Sequence, residues 1–293
     1  MNLYQNKRAV FYALPALLMV VIFVFLPVIL NFVNSTYRWN SFSAERVFVG
    51  LAYYKRLFTD PVFYISLKNN VLYAVISLIF QVGGGLILAA ILEEKFMKKF
   101  QPFFRTVYFI PSLLSLAVVG LLWQLLYQPD IGLINDFIKA IGFKDFSYAW
   151  LGNSHAAIYA VIFVSQWQYT GYIMMLFLVA MQKIPRSLYE AALIDGANRF
   201  HTFIHITIPQ VKEMILVATT FTVVGAFKVF DEVYVMTAGG PGHSTEVLGT
   251  MLFQSGFRND EMGYASAIGT AIFVITLVLS FLQIKVSKTG QEQ

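Results

Sequence analysis

The sequence predicts an all-α membrane protein with six transmembrane helices and both termini on the cytoplasmic side. Three observations predict it. The 293 residues are 58% hydrophobic and only 13% charged, with mean hydropathy +0.65, whereas soluble domains carry about 25% charged residues. Six apolar runs each reach the roughly 20 residues that a helix needs to cross a bilayer core at about 1.5 Å per residue. Finally, basic residues are denser in alternate connecting segments, as the positive-inside rule requires.

The expected spans are 9–33, 71–92, 107–127, 156–181, 214–235 and 263–284. The first follows Lys7 and Arg8, which resemble the basic start of a signal peptide. Its apolar run is too long for such a segment and no small-residue cleavage pattern follows, so it reads as a retained helix. The fourth contains SQWQYTGY (165–172), the most polar stretch of any span. The fifth is uninterrupted only over 215–227, and Lys228, Asp231 and Glu232 crowd its far end. Lys228 and Asp231, three apart, are expected to pair across one helical turn. With the N-terminus inside, the inner segments hold 12 Lys and Arg in 61 residues and the outer ones 8 in 90. Five of those eight fall in the first outer loop, against the trend.

Composition also excludes classes. Cysteine is absent, which removes disulfide and thiolate chemistry. The net charge of +5 and pI near 9.2 fit inner loops facing anionic lipid, and no nucleic-acid motif accompanies them. TAGGPGHST (237–245) lacks the glycine spacing and lysine of a phosphate-binding loop and reads as a turn. His201 and His205 share a helix face, but no third ligand is evident, so no metal site is expected. No HExxH or GxSxG occurs. The outer loops are short, so any energy-supplying module would have to be another polypeptide.

One polar segment interrupts this chain. SLYEAALIDGANRFHTFIHITIPQVKE (187–213) carries seven acidic, basic or histidine side chains. Pro185 suits a first helical turn. Leu188, Ala191, Ala192 and Asp195 follow at i, i+3, i+4 and i+7, on one face, and Gly196 can leave the helix left-handed. The spacing predicts a short surface helix with small Ala191 and Ala192 at its waist and Glu190 free to meet a basic partner group. Spacing alone leaves open whether that helix meets a partner or lies in lipid headgroups.

Within it, EAALIDGANRFHTFIHITIP resembles the EAA loop of permease subunits of binding-protein-dependent ABC importers. Glu190, Ala191, Ala192, Asp195, Gly196, Ala197, Phe203, Ile206 and Pro209 match that pattern, while Ile208 replaces its usual leucine. FTDPVFYISLKNNVLYA (58–74), FRTVYFIPSLLS (104–115), FDEVYVMTAGGPGHSTEVL (230–248) and GFRNDEMGYASAIG (256–269) are similar to the carbohydrate branch, of maltose, oligosaccharide or glycerol-phosphate type. The likeness covers nearly the whole chain and favours the compact six-span subunits.

The resemblance implies a type I ABC importer permease fold, with residues 1–293 as one transmembrane permease domain, core spans over 71–284, and 182–210 as the cytoplasmic coupling loop. Glu190, Ala191, Ala192, Asp195, Gly196 and Ala197 would meet the ATPase. It implies a second, paralogous permease, two cytoplasmic ATPase subunits that bind ATP and Mg, and an external solute-binding protein. This chain would hold no cofactor and catalyse nothing itself. Positions matching pathway-lining ones are Ser112, Leu116, Ser165, Gln168, Tyr169, Thr222, Gly225 and Ala226; on the residues alone they equally suit helix bridging and interfacial belts. Competing readings are a permease for another solute such as glycerol phosphate, a secondary transporter, for which no repeat is visible, and a membrane enzyme.

Overall fold

The computed structural model describes residues 3–42 and 45–289. Lys7, Arg8 and Lys288 have no described side chains. Helix α1 runs from Leu3 to Asn34, with a π-helical turn at Val21–Phe25. A small antiparallel pair, β1 (Tyr37–Arg38) and β2 (Val47–Phe48), sets Tyr37 opposite Phe48. Then come α2 (Ala52–Leu57), α3 (Pro61–Glu93, with a π turn at Leu78–Gly84), α4 (Gln101–Leu113), α5 (Leu116–Leu126) and α6 (Leu133–Ala140). The chain continues through α7 (Ala157–Met181), α8 (Arg186–Ile194), α9 (Arg199–Gln210), α10 (Lys212–Phe227) and α11 (Asp231–Thr237). It closes with α12 (Leu248–Phe253), whose last turn widens to π geometry at Gln254–Arg258, and α13 (Met262–Thr289).

Two compact units result: one takes the residues up to Pro61 with Met251–Val274, the other Val62–Thr250 with the residues from Ile275 on. In the first, Asn31 Nδ2 donates to the Ser266 carbonyl and the Thr270 hydroxyl, both at 3.1 Å. Arg56 grips Glu261 with two nitrogens at 2.8 and 2.9 Å and lies 4.1 Å over the Tyr264 ring, whose hydroxyl donates to Asp60 at 2.7 Å. That planar fork suits carboxylate and ring alike. The bond to Glu261 raises the Arg56 pKa, against the opposing pull of burial. By contrast, none of the apolar window of Tyr12–Asn34 is buried, as expected for a helix whose solvent is lipid.

The second unit is organised around α7, most of whose residues are buried, polar Ser165, Gln166 and Gln168 among them. Ile173, Met174, Phe177, Leu178 and Met181 pack against Val82, Leu86, Ala89 and Leu92 of α3. Glycines let the backbones approach: Gly85 sits against the Met174 amide, and at Gly171 the Tyr108 carbonyl occupies the space a Cβ would need.

Three expected spans are corrected. The second begins at Pro61, ten residues before the predicted 71, because the amides of Asn69 and Asn70 are satisfied within the unit. Asn69 Nδ2 reaches the Ser244 and Glu246 carbonyls at 2.9 and 2.8 Å. Asn70 Nδ2 reaches the Ala226 carbonyl at 2.7 Å, and its Oδ1 accepts from the Leu248 amide at 2.9 Å. The predicted third span, 107–127, is not one helix: α4 and α5 meet at 99°. Pro111 lies in the last turn of α4 and Leu114 and Ser115 are extended, so no helical bond crosses the break. The predicted fifth, 214–235, is likewise not one helix: it covers α10, which stops at Phe227, and α11, while α9 precedes α10 at a bend of 73°. Lys228 and Asp231 thus stand on either side of a helix break, not one turn apart. Asp231 and Glu232 fall in the first turn of α11, where the helix dipole favours acids. The described helices give four apolar spans, or six if each bent pair is one crossing.

Candidate coupling loop and pathway site

The segment between α7 and α10 folds as a knob. Pro185 is the extended residue before α8, with φ −58° and ψ 129°, one place earlier than expected. Helix α8 ends at Ile194 with Asp195 as its C-cap, and the next residue, Gly196, has a φ of +75°, the left-handed conformation glycine tolerates. The Gly196 and Ala197 amides donate to the Leu193 and Ala192 carbonyls at 3.2 and 2.9 Å, which satisfies the helix end. Asn198 Oδ1 then caps α9 by accepting from the His201 amide at 2.8 Å. The Tyr189 and Thr207 hydroxyls, 3.1 Å apart, fasten α8 to α9.

The predicted shared face of Leu188, Ala191, Ala192 and Asp195 is only partly the buried one. Ala192 is buried and Tyr189 half-buried, whereas Glu190, Ala191, Asp195 and Gly196 are exposed and Ala197 is intermediate. The reason is that α8 leans on α9 through Tyr189 and Ala192, three apart. The sequence reading missed the knob's apolar tip: Leu193, Ile194 and Phe200 are 72%, 86% and 75% exposed. Between α8 and α9 lies a cleft of about 460 Å³ lined by Ala192, Asp195, Gly196, Ala197, Asn198 and His201 among others. His201 and His205 stack with ring centroids 3.9 Å apart, and His205 Nδ1 is 3.0 Å from the His201 carbonyl. Arg199 reaches back to Glu94 at 3.6 Å. Beside it, Glu93 accepts from Gln101 and Gln182 at 2.9 and 3.0 Å, so the neighbouring ends of α3, α4 and α7 are pinned to one carboxylate.

The predicted pathway residues divide. Ser165 and Gln168 are buried on α7 and Tyr169 is half-buried. Gln168 Nε2 donates to the Leu114 carbonyl at 3.2 Å, satisfying the backbone freed where α4 and α5 part. Ser112 Oγ turns back to the Phe109 carbonyl at 2.7 Å, and Leu116 is partly covered. On α10, Thr222 is buried and its hydroxyl has no bonded partner among the described residues. Gly225 faces open space, and Ala226 is buried with its carbonyl held by Asn70.

Sequence reasoning missed Tyr73 and Glu232. Both are buried, and the Tyr73 hydroxyl donates to Glu232 Oε1 at 2.8 Å. Ser165 lies near that hydroxyl. A buried carboxylate at membrane depth is costly unless bonded. The available signal is the acid pair in FDEVY (230–234), which the apolar pattern alone reads as a span end.

Comparison with known proteins adds a second line. The family described as "Binding-protein-dependent transport system inner membrane component" matches residues 81–287. The chain belongs to this family. It is a multi-pass inner-membrane permease. This permease is 52% identical over 289 residues to the probable ABC transporter permease protein YurN of Bacillus subtilis (strain 168), covering 99% of each chain. It is 33% identical to the arabinooligosaccharides transport system permease protein AraP of the same organism, over 98% of this chain and 91% of that one. It is 34% identical to the trehalose/maltose transport system permease protein MalF of Thermococcus litoralis, over 97% and 95%. In fold the permease is similar to a chain of a bacterial alginate ABC transporter, solved in complex with an alginate pentasaccharide-bound periplasmic protein. The TM-score is 0.85 at 22% identity, over 99% and 98% of the two chains, and the fold is thus that of a type I importer permease.

Proposed function

We propose that the permease is the non-catalytic transmembrane subunit of an ATP-driven importer that carries a sugar or oligosaccharide across the cytoplasmic membrane. Residues 1–293 serve as one transmembrane domain with both termini inside, and 182–210 is its coupling loop. Two separate ATPase subunits bind ATP and Mg and supply the energy; a paralogous permease completes the pathway and an external solute-binding protein delivers the substrate. The observation that carries the reading is the knob. A short rigid helix presents Glu190, Leu193 and Ile194 outward, and such a surface has no use inside this chain but fits a groove on a motor subunit. The sugar assignment is supported by relatives named for arabinooligosaccharide and for trehalose/maltose transport.

Mechanically, closure of the ATPases would push α8, and α9 would pass the movement to α10 through the Tyr189–Thr207 contact. Rocking between two access states then needs only a ligand that favours one of them. Ser165, Tyr169 and Thr222 offer hydroxyls toward the pathway, and Leu116, Gly225 and Ala226 leave it room. Ser112 and Gln168 shape its bend.

Gentle detergent purification of the tagged chain tests the assembly. Recovery of an ATPase, a second permease and a binding protein is expected, with ATP turnover in proteoliposomes stimulated by oligosaccharide-loaded binding protein rather than by glycerol phosphate. An active solitary chain would overturn the reading. In the same system Tyr169→Ala is expected to lower sugar uptake about tenfold, the value of one lost hydrogen bond, with the complex intact. Gln168→Ala should instead reduce the yield of assembled complex, since it leaves the Leu114 carbonyl unbonded; normal uptake in both would remove them from the pathway.

A further inference from the structure

The connection between α5 and α7 carries a feature that lies outside both the coupling loop and the pathway residues. Helix α6 is sharply two-faced: Leu133 and Phe137, followed by Ile141, recur every four residues and form one stripe. They are 66%, 67% and 60% exposed, and Ile131 and Phe143, just outside the helix, are 73% and 64% exposed. The opposite side is polar and anchored. Lys139 meets Asp136 at 3.4 Å. Buried Asn135 donates to the Pro129 and Tyr148 carbonyls, both at 3.0 Å, and accepts from the Trp150 indole at 2.8 Å.

That anchor fixes the depth. Trp150 stands 6.0 Å from the ring of Tyr127, which closes α5, and Tyr127 stands 5.3 Å from Trp123. Trp123 in turn meets Trp167 of α7 at 5.6 Å. Tryptophan and tyrosine gather where hydrocarbon gives way to headgroups. The row Leu121, Leu122 and Leu125 on α5, each about half exposed or more, leads up to this aromatic layer, and the α6 stripe prolongs that apolar surface beyond it.

We propose that α6 is an interfacial helix, lying in the headgroup layer on the bilayer face opposite the 182–210 loop with its stripe against acyl chains. An exposed row of leucine, phenylalanine and isoleucine at this depth loses its cost when it enters lipid. The helix would tether the outer end of the bent α4–α5 crossing while Asn135 keeps the loop rigid.

The chain has no cysteine, so single cysteines can carry nitroxide labels cleanly. Phe137→Cys, Ile141→Cys and Asp136→Cys are labelled in the complex that co-purifies with the chain and reconstituted in liposomes, with the unsubstituted complex as blank for partner thiols. Collision with membrane-soluble oxygen is compared with collision with a water-soluble nickel chelate. Expected is an oxygen-to-nickel ratio several-fold higher at 137 and 141 than at 136. Equal ratios would place the stripe in water, and exclusion of both quenchers would place it against protein; either result overturns the proposal. Leu133→Cys repeats the reading if a label at 137 hinders assembly.

Discussion

Replacing Gly171 by alanine should sharply reduce the yield and stability of the assembled permease. A Cβ at 171 would overlap the carbonyl carbon and oxygen of Tyr108, and backbone cannot swing aside as a flexible side chain can. Relief requires α4 to move off α7, which would also pull Gln168 away from the Leu114 carbonyl. Overpacking a close contact costs about 1–3 kcal/mol, and more when the neighbour is rigid. The expected result is a large fall in the monodisperse fraction and a clear drop in the unfolding midpoint in detergent. Gly84→Ala is the control, because a Cβ there meets nothing within 4 Å and alanine is the better helix former. A Gly171→Ala chain that assembles and melts like the parent would mean that the α4–α7 contact is not held this closely.

Reversing the charge at Glu190 should leave folding alone and silence the motor. Glu190 is exposed on α8, so Glu190→Lys should change stability by no more than about 0.5 kcal/mol. At a docked interface the same change would oppose a partner's basic group and cost about 2–5 kcal/mol, because a buried charge is left unpaired. Each 1.4 kcal/mol is tenfold, so sugar-stimulated ATP turnover is expected to fall by more than tenfold with membrane insertion unaltered. Unchanged turnover would sink the coupling role, as would an accessibility label that placed Glu190 on the outer side.

Much of the architecture was legible in the sequence because lipid imposes a coarse rule. A chain with this little charge must bury its backbone polar groups in helices, and roughly 20 apolar residues set each crossing. The polar loop stood out for the same reason, and Pro185 and Gly196 bounded its helix to within one residue. Family membership was likewise readable in EAALIDGANRFHTFIHITIP, a long pattern whose glycine has a backbone reason.

Apolar runs could not reveal where helices break, since hydropathy does not change at Leu114. Those bends depend on which groups elsewhere accept the freed backbone bonds, as Gln168 does for Leu114. Nor could the sequence show that Asn69, Asn70 and Glu232 are buried. Each would be prohibitive alone in a membrane, and only partners far along the chain, such as Ser244, Leu248 and Tyr73, make burial affordable. Sequence by itself determined the solvent, the approximate spans and the loop that a partner can push. The tertiary structure alone decided which polar groups face one another, because a hydrogen bond between residues over 150 positions apart leaves no local trace.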